Sequence, residues 1–151
     1  MTSRFIYSIM LFFLITRCSQ EKEVIYDVAS LKHKTPTEIA EIVGEPDTSF
    51  YKMILGKRYY IQRYNQYITD FRHLDGNLKE VILNQPHPLK FDPATITRFG
   101  LEYKEPTDMD TTAMILWKNY PEFVAVNFYK VGTKKPDSLD VNFRIYFNMK
   151  E

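Results

Sequence analysis

Apolar and polar positions alternate most cleanly near the C-terminal end of the chain, where Leu139, Val141, Phe143, Ile145 and Phe147 interleave with Asp140, Asn142, Arg144 and Tyr146. A period of two puts every second side chain on one face, so residues 139–148 read as a strand with one buried side. Aromatic and β-branched residues mark further strands at 48–55, 57–65, 67–74, 78–84, 112–118 and 122–130. Asp75-Gly76-Asn77 is a strong hairpin signal between the third and fourth of the chain's strands, and Gly56 marks a turn between the first two. Strands this close in sequence leave no room for crossover helices and must pair antiparallel.

A helical period interrupts this pattern once with both ends marked, in Thr35-Pro36-Thr37-Glu38-Ile39-Ala40-Glu41-Ile42-Val43-Gly44-Glu45-Pro46. Thr35 can cap, Pro36 suits the first helical position, and Glu38 completes a capping box. Gly44 can adopt a left-handed conformation and Pro46 forbids continuation. Ile39, Ile42 and Val43 form an apolar face that must dock on something larger, because so short a helix is not stable alone. Similar punctuation recurs after the bend Gln85-Pro86-His87-Pro88: Asp92 caps, Pro93 follows, and Gly100 ends a segment that 103–110 continues irregularly; 131–138 is the last loop. The expected fold class is α+β, short helices packed on an antiparallel β-sheet. Either two tandem helix-plus-meander units, 28–84 and 85–151, compose it, or the recurrence is only generic helix punctuation.

The N-terminus obeys a different rule. Residues 5–15, FIYSIMLFFLI, are apolar around the whole circumference of a helix, with Ser8 the sole interruption, which suits an export leader better than an amphipathic core helix. As a helix the run spans about 17 Å, short of the ~30 Å hydrocarbon core a membrane span must cross. Residues 1–17 are therefore expected to be a signal peptide. The sequence Ile15-Thr16-Arg17-Cys18-Ser19 resembles the lipobox of bacterial lipoproteins, with an aliphatic residue three before the cysteine; Arg17 stands where that pattern has Gly, Ala or Ser. The resemblance implies lipidation at Cys18, a tether over 18–27 and a single domain over 28–151. The phrase from Thr35 to Pro46, followed by aromatic hairpins, resembles the small lipoprotein of the outer-membrane β-barrel assembly machinery and the β-lactamase inhibitor proteins. In both, a short helix ending in Gly-x-Pro packs on an antiparallel sheet; the resemblance covers chiefly 35–83 and implies architecture, with no functional residue carried over.

Composition narrows the picture further. The chain has 151 residues, a 44% hydrophobic share and 11 Tyr with 11 Phe against 5 Gly, which fits one packed, sheet-rich core rather than a disordered chain. Its 20 Lys and Arg nearly balance 19 Asp and Glu, and two of the basic residues, Arg4 and Arg17, belong to the leader. The remainder is slightly acidic and its charges are interspersed, so nucleic acid is not an expected partner. Cys18 is the only cysteine, which excludes an intramolecular disulfide.

Candidate chemistry is sparse. His33, His73 and His87 have no partners at metal-ligand or catalytic spacing and read as surface or turn histidines. No nucleophile elbow or glycine-rich phosphate loop occurs. Asp108-Met109-Asp110-Thr111-Thr112 reads as a turn rather than a calcium loop, because Asp and Thr favour side-chain-to-backbone bonds. No catalytic residue, metal ligand or cofactor is assigned. Arg58, Tyr60, Arg63 and Tyr64, with Trp117 and Tyr120, are the candidate partner-binding residues, since Tyr, Trp and Arg dominate binding hot spots; cross-strand packing is their structural alternative. The expectation is an exported, lipid-anchored binding or scaffolding module in the bacterial envelope. Its partners are the membrane at Cys18 and a protein of the envelope. An envelope hydrolase whose carboxylates converge only in the fold, and a secreted unlipidated inhibitor-like domain, are the alternatives.

Overall fold

The structure is a computed structural model that describes residues 24–64, 68–84, 89–131 and 140–148. The leader 1–17, Cys18 and most of the tether, the proline bend with His87, and most of the last loop lie outside the described residues. Helix α1 spans Pro36–Val43 and is built as its ends require. Thr35 Oγ1 accepts the Glu38 N–H at 3.3 Å, and Glu38 Oε2 accepts the Thr35 N–H at 2.9 Å, closing the capping box. Lys34 Nζ meets Glu38 Oε1 at 3.0 Å, and the Gly44 N–H closes the other end on the Ala40 carbonyl at 2.9 Å. Ile39 is fully buried and Val43 half-buried, but Ile42 points away from the core and is 53% exposed. A helix of two turns presents only a narrow stripe to the sheet, and Ile39 and Val43, four apart, occupy it.

The second punctuated segment forms a 3-10 helix, Pro93–Phe99, rather than an α-helix. Asp92 caps it by accepting the Ala94 N–H at 2.7 Å, and Gly100 ends it in the left-handed region. Between those ends stands Thr95-Ile96-Thr97, a β-branched run of poor helix propensity. The Thr97 hydroxyl bonds the Ala94 carbonyl at 2.9 Å, and the Thr95 hydroxyl bonds the Lys90 carbonyl at 2.7 Å. A shorter 3-10 helix, Val28–Leu31, was not foreseen; it places Val28 and Leu31 in the core.

The strands are β1 Thr48–Ile54, β2 Lys57–Tyr64, β3 Thr69–Leu74, β4 Asn77–Leu83, β5 Asp108–Asp110, β6 Met114–Trp117, β7 Phe123–Val131 and β8 Asp140–Phe147. They form one eight-stranded sheet in the order β1-β2-β3-β4-β8-β7-β6-β5, with every pair antiparallel. Two four-stranded meanders are thus joined last strand to last strand along a β4–β8 seam. β5 falls in the stretch read as irregular: three exposed residues paired only with β6 carry no alternating pattern to detect. The turns Leu55-Gly56 and Asp75-Gly76 both have two positive φ angles, 49° and 77°, then 53° and 79°. That is the type I′ hairpin, for which Asp-Gly is suited and Leu-Gly is not.

Register sorts the faces. Phe71, Val81, Ile145, Val126 and Trp117 stand opposite one another in a single row across five strands, all fully buried. The next row is Thr69, Leu83, Phe143, Phe128 and Ile115. Ile39 of α1, Val28, Leu31, Ile96 and Phe99 join these residues in one core cluster, so the helices cover this face. Phe99 stacks on Phe143 with ring centroids 3.9 Å apart. The structure is therefore mostly antiparallel sheet with few, short helices. Among the described residues no helix is long and apolar enough to cross a membrane.

Candidate functional site

The opposite face of the sheet carries a different row: Arg63, Asp70, Ile82, Arg144, Asn127 and Leu116 across β2, β3, β4, β8, β7 and β6. Beside it run Ile61, Arg72, Glu80 and Tyr146. Arg63 grips Asp70 through both ends of its fork, Nε to Oδ1 at 2.6 Å and Nη2 to Oδ2 at 2.8 Å, and Arg72 Nη1 meets Glu80 Oε2 at 2.9 Å. Bidentate pairing fixes guanidinium orientation as well as charge. Ile61 and Ile82 are buried under these side chains although neither belongs to the core cluster. Arg72 Nε and Asn127 Oδ1 are buried without hydrogen-bond partners among the described residues.

Of the candidate residues, Arg63 alone lies on this face. Arg58 and Tyr60 point to the helix-bearing face, as the period of two requires for even positions of β2 when Ile61 and Arg63 face the other way. Tyr64, Trp117 and Tyr120 are core residues rather than docking residues, with exposures of 6%, 0% and 5%. Their polar tips are tied to backbone: Tyr64 to the Gly44 carbonyl, Trp117 Nε1 to the Lys104 carbonyl and Tyr120 to the Glu102 carbonyl. Burial pushes the hydroxyls of Tyr64 and Tyr120 up to about 12. Cross-strand and core packing thus accounts for three of the six, and the aromatic-basic stretch of β2 is divided between two faces.

Arg58 and Tyr60 line a cleft of about 410 Å³ beside Pro36, Tyr51, His73, Asp75 and Gly76. The Arg58 guanidinium lies over the Tyr51 ring, 4.1 Å from its centroid, and Tyr51 and Tyr60 pack at 5.2 Å. His73 is only 1% exposed, contrary to its reading as a surface or turn residue. Its position on β3, two after Phe71 and four after Thr69, was the sequence signal for this, and a bulge at Arg72/His73 sets it opposite Leu78. Gln62 Nε2 donates to the Pro36 carbonyl at 3.0 Å, so Gln62 Oε1 is the atom 2.9 Å from His73 Nε2. An oxygen there needs a donor, which assigns the His73 proton to Nε2 and leaves Nδ1 a bare lone pair. Burial holds the imidazole at about 4, so it is neutral near pH 7. Nδ1 has no partner among the described residues, and an unsatisfied buried acceptor costs about 1–3 kcal/mol.

A second cleft, about 500 Å³, is lined by Tyr26, Asp27, Ile42, Glu45, Asp47 and Tyr64 among others. Asp27, Glu45 and Asp47 are all solvent-exposed. Of the Asp108–Thr112 segment, read as a turn, Asp108–Asp110 is strand β5 and only the residues after it turn: Asp110 Oδ1 accepts from the Thr112 N–H at 2.8 Å and from its hydroxyl at 2.6 Å. Those bonds hold the Asp110 carboxyl below its usual range. Among the described residues, no group of three or more His, Cys, Asp or Glu is placed to hold a metal ion. Comparison of the chain with family models, with curated proteins and with solved structures finds no match.

Proposed function

We propose that the chain is an exported, lipid-anchored protein of the bacterial envelope, facing the periplasm or the cell exterior, whose sheet serves as a binding or scaffolding module for a protein partner. The observation that carries the binding half of this reading is the helix-free sheet face, where Tyr59, Arg63, Arg72, Arg144 and Tyr146 stand on paired strands and ion pairs hold two of the arginines in place. Rigid Arg and Tyr side chains on a sheet lose little freedom when a partner docks, which favours a binding role. The anchoring half rests on the leader and on the likeness of Ile15 to Ser19 to a lipobox. Two helix-plus-meander units, each with its punctuated helix ahead of four strands, fit the order of elements. So does the likeness of the first unit to the small barrel-assembly lipoprotein and the β-lactamase inhibitor proteins.

An anchored module meets its partners at raised effective concentration along the membrane. Two experiments test the halves separately. Intact mass of the membrane-bound protein, compared with Cys18→Ala, should show a product beginning at Cys18 with added acyl mass that the variant lacks; an unacylated wild-type chain retaining Met1 removes the anchor from the proposal. A photo-cross-linking residue at Tyr59 or Tyr146 should capture an envelope protein that the same residue at Glu41, on the helix side, does not. Equal capture from both sides would remove the sheet face from it.

A further inference from the structure

The cleft beside Pro36 holds a set of groups that the docking face does not use. Its lining includes His73, 1% exposed, whose Nε2 is occupied by Gln62 and whose Nδ1 is a lone pair without a donor among the described residues. Two aromatic rings, Tyr51 and Tyr60, form a wall, and the half-buried Tyr60 ring stands 6.2 Å from the imidazole. Arg58 lies over Tyr51 and makes no ion pair among the described residues, so its fork is open to an anion. Asp75 also lines the cleft, and its negative charge disfavours a second anionic group on the same ligand.

We infer that this cleft binds a small aromatic monoanion carrying an O–H or N–H donor, with its carboxylate at Arg58, its ring against Tyr51 and Tyr60, and its donor on His73 Nδ1. Each requirement follows from one group: the lone pair asks for a donor, the rings for a flat apolar body, and the guanidinium for a carboxylate. A volume of about 410 Å³ is in the range of small-molecule sites and is open enough for a single-ring ligand. His73 Nδ1 is itself sealed from solvent, so a donor reaches it only if a lining side chain yields, and Tyr60, half-buried with its ring 6.2 Å from the imidazole, is the one assigned that movement. Nothing in this site depends on anchoring or on the docking face, and its test can fail without touching either.

The test uses the full chain in detergent with isotope-labelled histidine, followed through the imidazole nitrogen resonances. His73 is identified as the ring whose signals are missing from the spectrum of His73→Asn. Para-hydroxyphenylacetate is titrated beside phenylacetate, which lacks the donor, and para-hydroxyphenylethanol, which lacks the charge. The first should bind saturably and move the Nδ1 resonance upfield, as acceptance of a hydrogen bond requires. Phenylacetate should bind about tenfold more weakly and leave Nδ1 in place, and Arg58→Gln should weaken para-hydroxyphenylacetate about tenfold while leaving para-hydroxyphenylethanol nearly unchanged. Arg58 is exposed, so the variant should fold, which circular dichroism checks. An Nδ1 resonance that stays put under all three probes overturns the inference, as does equal affinity of wild type and Arg58→Gln for para-hydroxyphenylacetate. A resonance already at the position of a bonded acceptor before any probe is added also overturns it, since water then fills the place of the donor.

Discussion

His73 makes the stability of this protein depend on acid. Burial lowers its protonation from 6.5 to about 4, so the unfolded chain takes up the proton more readily than the folded one. The contribution of the neutral ring is complete above about pH 6.5 and is lost as pH falls towards 4, at up to about 1.4 kcal/mol per pH unit. Urea denaturation of wild type and His73→Asn at a series of pH values between those limits should show the extra loss in wild type alone; equal slopes would put it elsewhere. Glu38 adds an acid-labile contribution at lower pH. Its carboxylate is held at about 2 by the Thr35 backbone N–H first and by Lys34 and the Thr35 hydroxyl after it. That contribution is present above the usual carboxylate range and disappears as pH falls towards 2. The burial of His73 was legible in the parity of β3, since Thr69, Phe71 and His73 share a face. Its Gln62 partner was not, because a side chain reaching from the next strand to a helix carbonyl leaves no trace in sequence spacing.

Local punctuation predicted elements well wherever short-range chemistry decides them. The capping box at Thr35 appears as read, and Thr35→Ala should cost about 1 kcal/mol in chemical denaturation. The Asp75-Gly76 turn appears as read too, whereas Leu55 occupies the corresponding position of the first hairpin at φ 49° with 98% exposure. Leu there has neither the left-handed tolerance of Asn nor any packing to compensate. Leu55→Asn should therefore raise stability by about 0.5–1 kcal/mol, read as a higher urea midpoint with unchanged slope. Propensity also explains the shortfall at Pro93–Phe99: the start and stop signals were sound, and the Thr-Ile-Thr run between them settled into a 3-10 helix. β5 was lost for the opposite reason, since three residues held by one neighbour need no periodicity of their own.

At the scale of the whole molecule, strands were legible and their order was not. Hairpin partners follow from closeness in sequence, but the β4–β8 seam joins residues more than fifty positions apart and leaves no local signal. One core cluster nevertheless runs through both meanders across that seam. Phe143, opposite Leu83 and stacked on Phe99, should on replacement by Ala cost about 3–5 kcal/mol. Trp117 fluorescence, which reports the second meander, and far-ultraviolet circular dichroism should lose their signals at one shared midpoint; separate midpoints would mean that the meanders unfold independently. The entry of the chain crosses the same divide. The Ile25 N–H bonds the Arg98 carbonyl at 2.7 Å, and Gly100 lies so close to Asp27 that a Cβ there would stand 2.9 Å from its carboxylate. Only after this clasp to the second meander does the chain run into α1 and β1 of the first. A mechanical pull on the polypeptide ahead of Val24 therefore meets this clasp to the second half before it reaches the edge strand β1.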